Sequence, residues 1–89
     1  MNEEERACRN YVRDLVYGLR ELGGQAARNS RASGSAFDEG RELAYREVLA
    51  RMQNQADIFG LDKESLLLAG FDAVAGQLDP PSPRPSIAE

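Results

Sequence analysis

The sequence lacks histidine and tryptophan and has a single cysteine, Cys8. A lone thiol cannot form a disulfide within the chain, and zinc sites need several Cys or His ligands at set spacings. These absences exclude an internal disulfide framework and a zinc site, and they remove histidine as a general base. A cytoplasmic, reducing setting is the simplest interpretation of the cysteine content.

Long apolar runs are also missing. The first residues, MNEEERACRN, are charged and no apolar run follows them, so we expect neither a signal peptide nor a membrane span. The 89 residues have room for one small domain. A domain of this size buries a modest fraction of its surface, which makes a partner subunit a reasonable expectation.

The charge is unevenly distributed along the chain. Residues 1–34 hold six Arg against five Asp or Glu, whereas residues 35–89 hold five cations against ten anions. The formal net charge is −4. An acidic second half disfavours general nucleic-acid affinity, because that affinity depends on Lys and Arg contacting phosphate.

Apolar residues at three- and four-residue steps predict a first amphipathic helix over about residues 3–28. Asn2 followed by three glutamates is typical of a helix start, because Asn accepts from free amides and carboxylates favour the positive end of the helix dipole. Gly23 and Gly24 leave open whether this helix ends at Leu22 or continues to Arg28. Its predicted core stripe consists of Cys8, Tyr11, Val12, Leu15, Leu19, Leu22 and Ala26.

A second helix is predicted over about residues 36–59. NSRASGS at 29–35 is typical of an exposed connection, and Ser35 lies three residues before Asp38, a spacing that begins helices. Gly60 is predicted to end the helix, with Leu61 folding back over it. The predicted core face consists of Phe37, Ala44, Tyr45, Val48, Leu49, Met52, Ala56 and Phe59. A short connection between two helices of similar length predicts an antiparallel hairpin.

The remainder of the chain is predicted to add little regular structure. We expect a short helix at 63–69, capped by Asp62 and ended by Gly70, and a further turn at 73–78. Residues 79–89 contain four prolines, which predicts a disordered or extended tail. The predicted fold is a single all-α domain over 1–78, with one or two short C-terminal helices. Because its core is thin, we expect a homodimer that completes a four-helix bundle.

Apolar residues outside the two stripes predict a second interface. They are Val16 and Tyr17 on the first helix and Leu43, Ala50 and Ile58 on the second. Several such residues on a two-sided hairpin favour an interaction surface over isolated exposure. Gly40 lies near the start of the second helix, where it permits close approach by a partner or by a bulky neighbour.

Four arginines, Arg6, Arg9, Arg13 and Arg20, are predicted to project from one side of the first helix beside Tyr17. Arginine with an interleaved aromatic residue can bind phosphate or an acidic protein surface. Nearby carboxylates favour a solvated, salt-bridged face instead. Binding of nucleic acid by the arginine side of a dimer is therefore the alternative to binding of a protein.

No motif indicates catalysis, a cofactor or a metal. The densest polar cluster is Arg41, Glu42, Tyr45 and Arg46, but acid–base chemistry needs a pocket, and a helical hairpin offers little concavity. Carboxylate pairs on the second helix lack a calcium-loop spacing. Gln53, with the two amides after it, is interpreted as ordinary helix surface. We expect no cofactor and no enzymatic activity.

The run FDEGRELAYREVLARMQNQADIFGLD, with LLLAGFD after it, resembles small bacterial proteins of uncharacterised function. Those proteins share an F-x-x-G-R-x-x-A-Y-x-E-V core and a following Q-A-x-x-F-G-[LI] segment. The resemblance covers residues 37–72, less than half of the chain. It implies a helical hairpin and a bacterial or phage origin, and it brings no activity or catalytic residue. The expected function is an adaptor or inhibitor that binds another protein through a helix face.

Overall fold

The computed structural model describes residues 2–81. Helix α1 spans Glu3–Ser33 and helix α2 spans Ala36–Ile58. The two helices pack against each other, and no β-strand occurs in residues 2–81, so the predicted all-α hairpin is confirmed. Most of the predicted tail, residues 82–89, lies outside the described part of the chain.

Reciprocal hydrogen bonds begin α1. Asn2 Oδ1 accepts from the Glu5 N–H at 2.8 Å, and Glu5 Oε1 accepts from the Asn2 N–H at 2.9 Å. This pair is a capping box, which satisfies amides that have no partner within the helix. The acidic first turn also interacts favourably with the helix dipole.

Helix α1 continues through its two internal glycines to Ser33, beyond the predicted end at residue 28. It ends there because Gly34 adopts a left-handed conformation, with φ of 64°, and its N–H donates to Ser30 O at 2.8 Å. Ser35 Oγ then accepts from the Asp38 N–H at 3.1 Å and begins α2, as its spacing predicts. The connection consists of Gly34 and Ser35 alone.

Helix α2 ends in the Schellman arrangement expected from the sequence. Gly60 has φ of 68°, and its N–H donates to Asp57 O at 3.2 Å. The Leu61 N–H donates to Ala56 O at 2.8 Å. These bonds satisfy carbonyls that the last turn of the helix would otherwise leave free.

Residues 61–81, here called the C-terminal segment, form turns and no helix. The short helix predicted over 63–69 is absent, because Leu67 has φ of 61°, a conformation uncommon for a bulky residue. In a helix the side chains of Leu66 and Leu68 would point to nearly opposite sides, about 160° apart. In the observed turn both side chains are buried, with 7% and 2% exposure. Burial of both leucines therefore outweighs the local helical tendency.

The C-terminal segment packs against both helices and completes a single core. The buried apolar cluster consists of Val16, Leu49, Ala56, Leu66, Leu68, Ala73 and Leu78. The packed chain continues to at least Asp79, whose carbonyl accepts from Arg20. The domain boundary predicted between 78 and 79 therefore lies too early.

The core side of α1 matches the predicted stripe in part, since Val12 and Leu19 pack against the core and Ala26 is buried. Tyr11, Leu15 and Leu22 are exposed by 69%, 44% and 42%, whereas Val16 and Tyr17 are exposed by 0% and 6%. The prediction that Val16 and Tyr17 are left over for a partner is wrong, because the C-terminal segment covers the side of α1 that carries them. On α2, Leu49 is buried as predicted, but its predicted neighbours Phe37, Val48 and Phe59 are exposed.

Candidate interaction site

Arg20 is a charged side chain buried to 4% exposure. Its guanidinium donates to three carbonyls of the C-terminal segment: Nη1 to Leu67 O at 2.8 Å, Nε to Leu78 O at 3.0 Å and Nη2 to Asp79 O at 2.6 Å. Its Cζ lies 3.9 Å from the centroid of the Phe71 ring. A buried cation needs such partners, because removing its hydration is costly.

The prediction that Arg20 is an exposed polar contact is therefore wrong. Burial lowers the pKa of the Arg20 guanidinium from its ordinary value, and the Asp79 carboxylate opposes this shift. Arginine stays protonated in proteins, so the three carbonyls accept from a cation. Arg20 fastens the C-terminal segment to α1 and is not available to a partner.

Two side chains of α2 hold the same segment. Arg46 Nε donates to Ala73 O at 3.3 Å, and Arg46 Nη2 donates to Val74 O. Gln53 Nε2 donates to Leu68 O at 2.9 Å. We call these the clamp residues: Arg20, Arg46 and Gln53. The sequence did not predict these roles: Arg20 was expected in a solvated arginine row, Arg46 in a polar cluster and Gln53 on ordinary helix surface.

Gly23 and Gly24 let the C-terminal segment approach α1 closely. A Cβ at Gly23 would lie 2.7 Å from Leu78 Cδ1, and a Cβ at Gly24 would lie 2.7 Å from Asp79 Cγ. Both distances are shorter than ordinary van der Waals contact, so the packing favours glycine despite its low helix propensity. This glycine pair, one turn after Arg20, is the sequence signal that could have revealed the clamp.

The side of α1 away from the C-terminal segment is apolar and exposed. At about 100° per residue, Tyr11, Leu15 and Leu22 lie roughly 140–180° around α1 from Arg20. Gly18 lies on the same side, and a Cβ there would meet nothing within 4 Å. A row of large apolar side chains with a gap at its centre therefore points away from the core.

The matching side of α2 carries two large apolar side chains, together with Arg41 and Gln55 at nearly the same angle. Phe37 and Val48 are exposed by 78% and 46%, and both lie about 140–160° around α2 from Gln53. We define the open face by its large exposed residues: Tyr11, Leu15, Leu22, Phe37 and Val48. Both helices thus expose apolar side chains on the side of the hairpin that the C-terminal segment leaves uncovered, which is typical of an interaction surface.

The predicted interface residues of α2 lie elsewhere. Leu43 and Ile58 are exposed by 50% and 65%. At about 100° per residue they lie about 140° and 80° around α2 from Val48, outside the open face. Gly40 has open space at its Cβ position, and Ala50 is half-buried against the core. The structure therefore does not join these four residues with Val16 and Tyr17 into one surface.

The arginine row of α1 is not a free cationic stripe. Arg6, Arg9 and Arg13 are half-buried, and Arg20 is buried. The Nε atoms of Arg9 and Arg13 are buried without a hydrogen-bond partner among residues 2–81. Burial of Arg20 and partial burial of the other three leave fewer exposed cations on this row than the nucleic-acid alternative needs.

A cavity of about 560 Å³ lies between the start of α1 and the residues that follow α2. The apolar part of its lining comes from Cys8, Val12, Leu61 and Leu66. We call it the end cavity. It exists because the C-terminal segment folds back against α1, a concavity that a bare hairpin would not have.

The side chains of residues 2–81 contain no group of three Cys, Asp or Glu placed to hold a metal ion. Neither α1 nor α2 combines the length and the apolar character needed to cross a bilayer. Comparisons with protein-family models, curated proteins and solved structures give no match. The resemblance of residues 37–72 to small bacterial proteins therefore stays a prediction.

Proposed function

We propose that this protein is a small non-enzymatic interaction protein, an adaptor or inhibitor, that binds protein through its open face. The observation that carries the proposal is the concentration of exposed apolar side chains on one side of the hairpin. Fully burying a Leu or Phe side chain contributes about 1.5–3 kcal/mol relative to exposure. Covering the open face would therefore provide substantial binding energy.

A second copy of the chain is the first partner proposed for the open face. Tyr11, Leu15, Gly18 and Leu22 follow the alternating four- and three-residue spacing of a bundle seam. Two hairpins joined by a two-fold axis through this seam would form a four-helix bundle. The open space at Gly18 would let a helix of the partner approach closely.

A charge on the open face is expected to dissociate this dimer. Leu22 and Leu43 have similar exposure, 42% and 50%, but only Leu22 lies on the open face. Leu22→Glu should raise the dimer dissociation constant at least about tenfold, because a carboxylate would lose its hydration in the interface. Leu43→Glu is the matched control and should leave it unchanged. Sedimentation equilibrium or light scattering across micromolar concentrations measures the difference.

Two outcomes would contradict the open-face dimer. One is a wild-type chain that stays monomeric at high micromolar concentration. The other is an equal loss of association for Leu22→Glu and Leu43→Glu, which would show that association does not depend specifically on the open face. Far-UV circular dichroism of both variants should show the helix content of the wild type.

A further inference from the structure

We propose that the end cavity binds a segment of a partner protein that is apolar on one side and basic on the other. This proposal rests on the proposed function, that the chain binds protein. It concerns a different surface, because the cavity lining shares no residue with the open face.

The apolar lining gives the cavity a place for large side chains. Its volume of about 560 Å³ lies within the roughly 300–1,000 Å³ of typical ligand pockets. Leu66 belongs to the core and Val12 packs against that core, so two walls are held by the fold. Leu61 is exposed by 54%, so apolar surface is available for contact. One or two apolar side chains of a partner would be buried there.

The charges around the cavity indicate that the bound segment also carries basic side chains. Glu4, Glu5 and Asp62 contribute three carboxylates to the lining, against one guanidinium from Arg9. Local structure orients two of them, since Glu5 is part of the capping box and Asp62 Oδ1 accepts from the Glu64 N–H at 3.2 Å. Oriented carboxylates beside an apolar surface are complementary to Lys or Arg on an apolar segment.

Arg9 favours a polypeptide over a small amphiphile. Its side chain lines the cavity, and its buried Nε has no hydrogen-bond partner among the described residues. A buried donor without an acceptor is unfavourable. Arg20, on the same helix, meets this need with main-chain carbonyls of the C-terminal segment. An incoming polypeptide would offer carbonyls of the same kind to Arg9 once its side chain turns toward the cavity, and an alkylammonium has no acceptor to offer.

Binding of a short amphipathic peptide of Leu and Lys to the full chain tests the proposal, by isothermal titration calorimetry. Glu3 and Glu4 share the first turn of α1, but only Glu4 lines the cavity. Glu4→Lys should weaken binding about tenfold, whereas the matched Glu3→Lys should change it less than about twofold. The same peptide with Glu in place of Lys should not bind. Equal effects of the two variants, or equal binding of both peptides, would overturn the proposal.

Arg9→Met separates hydrogen bonding from simple charge attraction. The substitution removes a cation, so charge attraction alone predicts tighter binding of a basic peptide. Loss of the donor to a peptide carbonyl predicts weaker binding, by about fivefold. Tighter binding would overturn the assignment of a polypeptide, as would dodecylammonium binding as tightly as the peptide.

The open-face variant distinguishes failure of the dimer proposal from failure of the cavity proposal. Leu22→Glu should leave the peptide affinity unchanged, because Leu22 does not line the end cavity. A wild-type chain that is monomeric and binds the peptide would refute the dimer alone. A dimer that fails to bind the peptide would refute the cavity proposal alone. Circular dichroism on each variant confirms that the helices are intact.

Discussion

Replacing Arg20 with methionine is expected to lower the free energy of unfolding by roughly 3 kcal/mol. Leu78 O loses a buried donor, and Leu67 O and Asp79 O lose partly buried ones. An unsatisfied buried polar group costs about 1–3 kcal/mol, and the two partly buried carbonyls regain some water. Methionine keeps much of the apolar volume, so the loss reports on the hydrogen bonds rather than on a new cavity. Urea unfolding followed by circular dichroism measures it.

Arg28 provides the matched control on the same helix. Its guanidinium pairs with Asp79 at 2.9 Å, but the two side chains are 56% and 63% exposed. Arg28→Met should therefore cost less than about 1 kcal/mol, as solvent-exposed ion pairs do. Arg20→Lys should give an intermediate loss, because an ammonium cannot reproduce the guanidinium fork. Equal losses at positions 20 and 28 would contradict the clamp.

Leu78→Ala is expected to lower the free energy of unfolding by about 2–5 kcal/mol. Leu78 has 0% exposure and is one of the largest fully buried side chains. Truncating a buried leucine loses transfer energy and leaves a cavity. If Leu78 were exposed, like a residue of an extended tail, the same substitution would have a much smaller effect. Urea unfolding distinguishes the two cases.

Gly23→Ala tests the contact between Leu78 and α1 by changing the residue on α1. A Cβ at this position would lie 2.7 Å from Leu78 Cδ1, so Gly23→Ala alone should cost about 1–3 kcal/mol through overpacking. In the Leu78→Ala background the Cδ1 atom is gone, while Tyr45 Cβ still lies 3.2 Å from the added Cβ, so the cost should fall without disappearing. The two substitutions should therefore couple by about 1–2 kcal/mol in a double-mutant cycle.

Gly40→Ala is the control for helix propensity in this cycle, because Gly40 lies inside α2 and outside the proposed dimer seam. A Cβ at Gly40 meets nothing within 4 Å, so the substitution should stabilise by up to about 1 kcal/mol in either background. Additive effects of Gly23→Ala and Leu78→Ala would contradict the close packing of the C-terminal segment against α1.

The helix ends were predictable because the chemistry that sets them is local. Asn2 and Ser35 accept from amides three residues away, and Gly60 satisfies carbonyls of the turn before it. The end of α1 was misplaced because NSRASGS was interpreted as an exposed connection, whereas the helix continues to Ser33 and ends at Gly34, the glycine with a left-handed conformation. Gly23 and Gly24 stay inside the helix, where they pack against the C-terminal segment.

The core side of α1 could not be predicted from periodicity, because the helix carries two apolar stripes. One contains Tyr11, Leu15 and Leu22, and the other contains Val16 and Tyr17 with small residues around Arg20. The first stripe is larger and more apolar, so hydrophobicity alone selects it. The second stripe nevertheless faces the core, because the C-terminal segment contacts it and accepts hydrogen bonds from Arg20 through its carbonyls.

The contacts of Arg20 also have a consequence for the order in which the chain folds. The three carbonyls that it binds lie 47, 58 and 59 residues later in the sequence, whereas only two residues connect α1 to α2. We expect the hairpin to form first, with Val16 and the Arg20 guanidinium in water, and the core to close last. A folding chain thus passes through a stage in which both faces of the hairpin are uncovered, and removal of the C-terminal segment would hold it there.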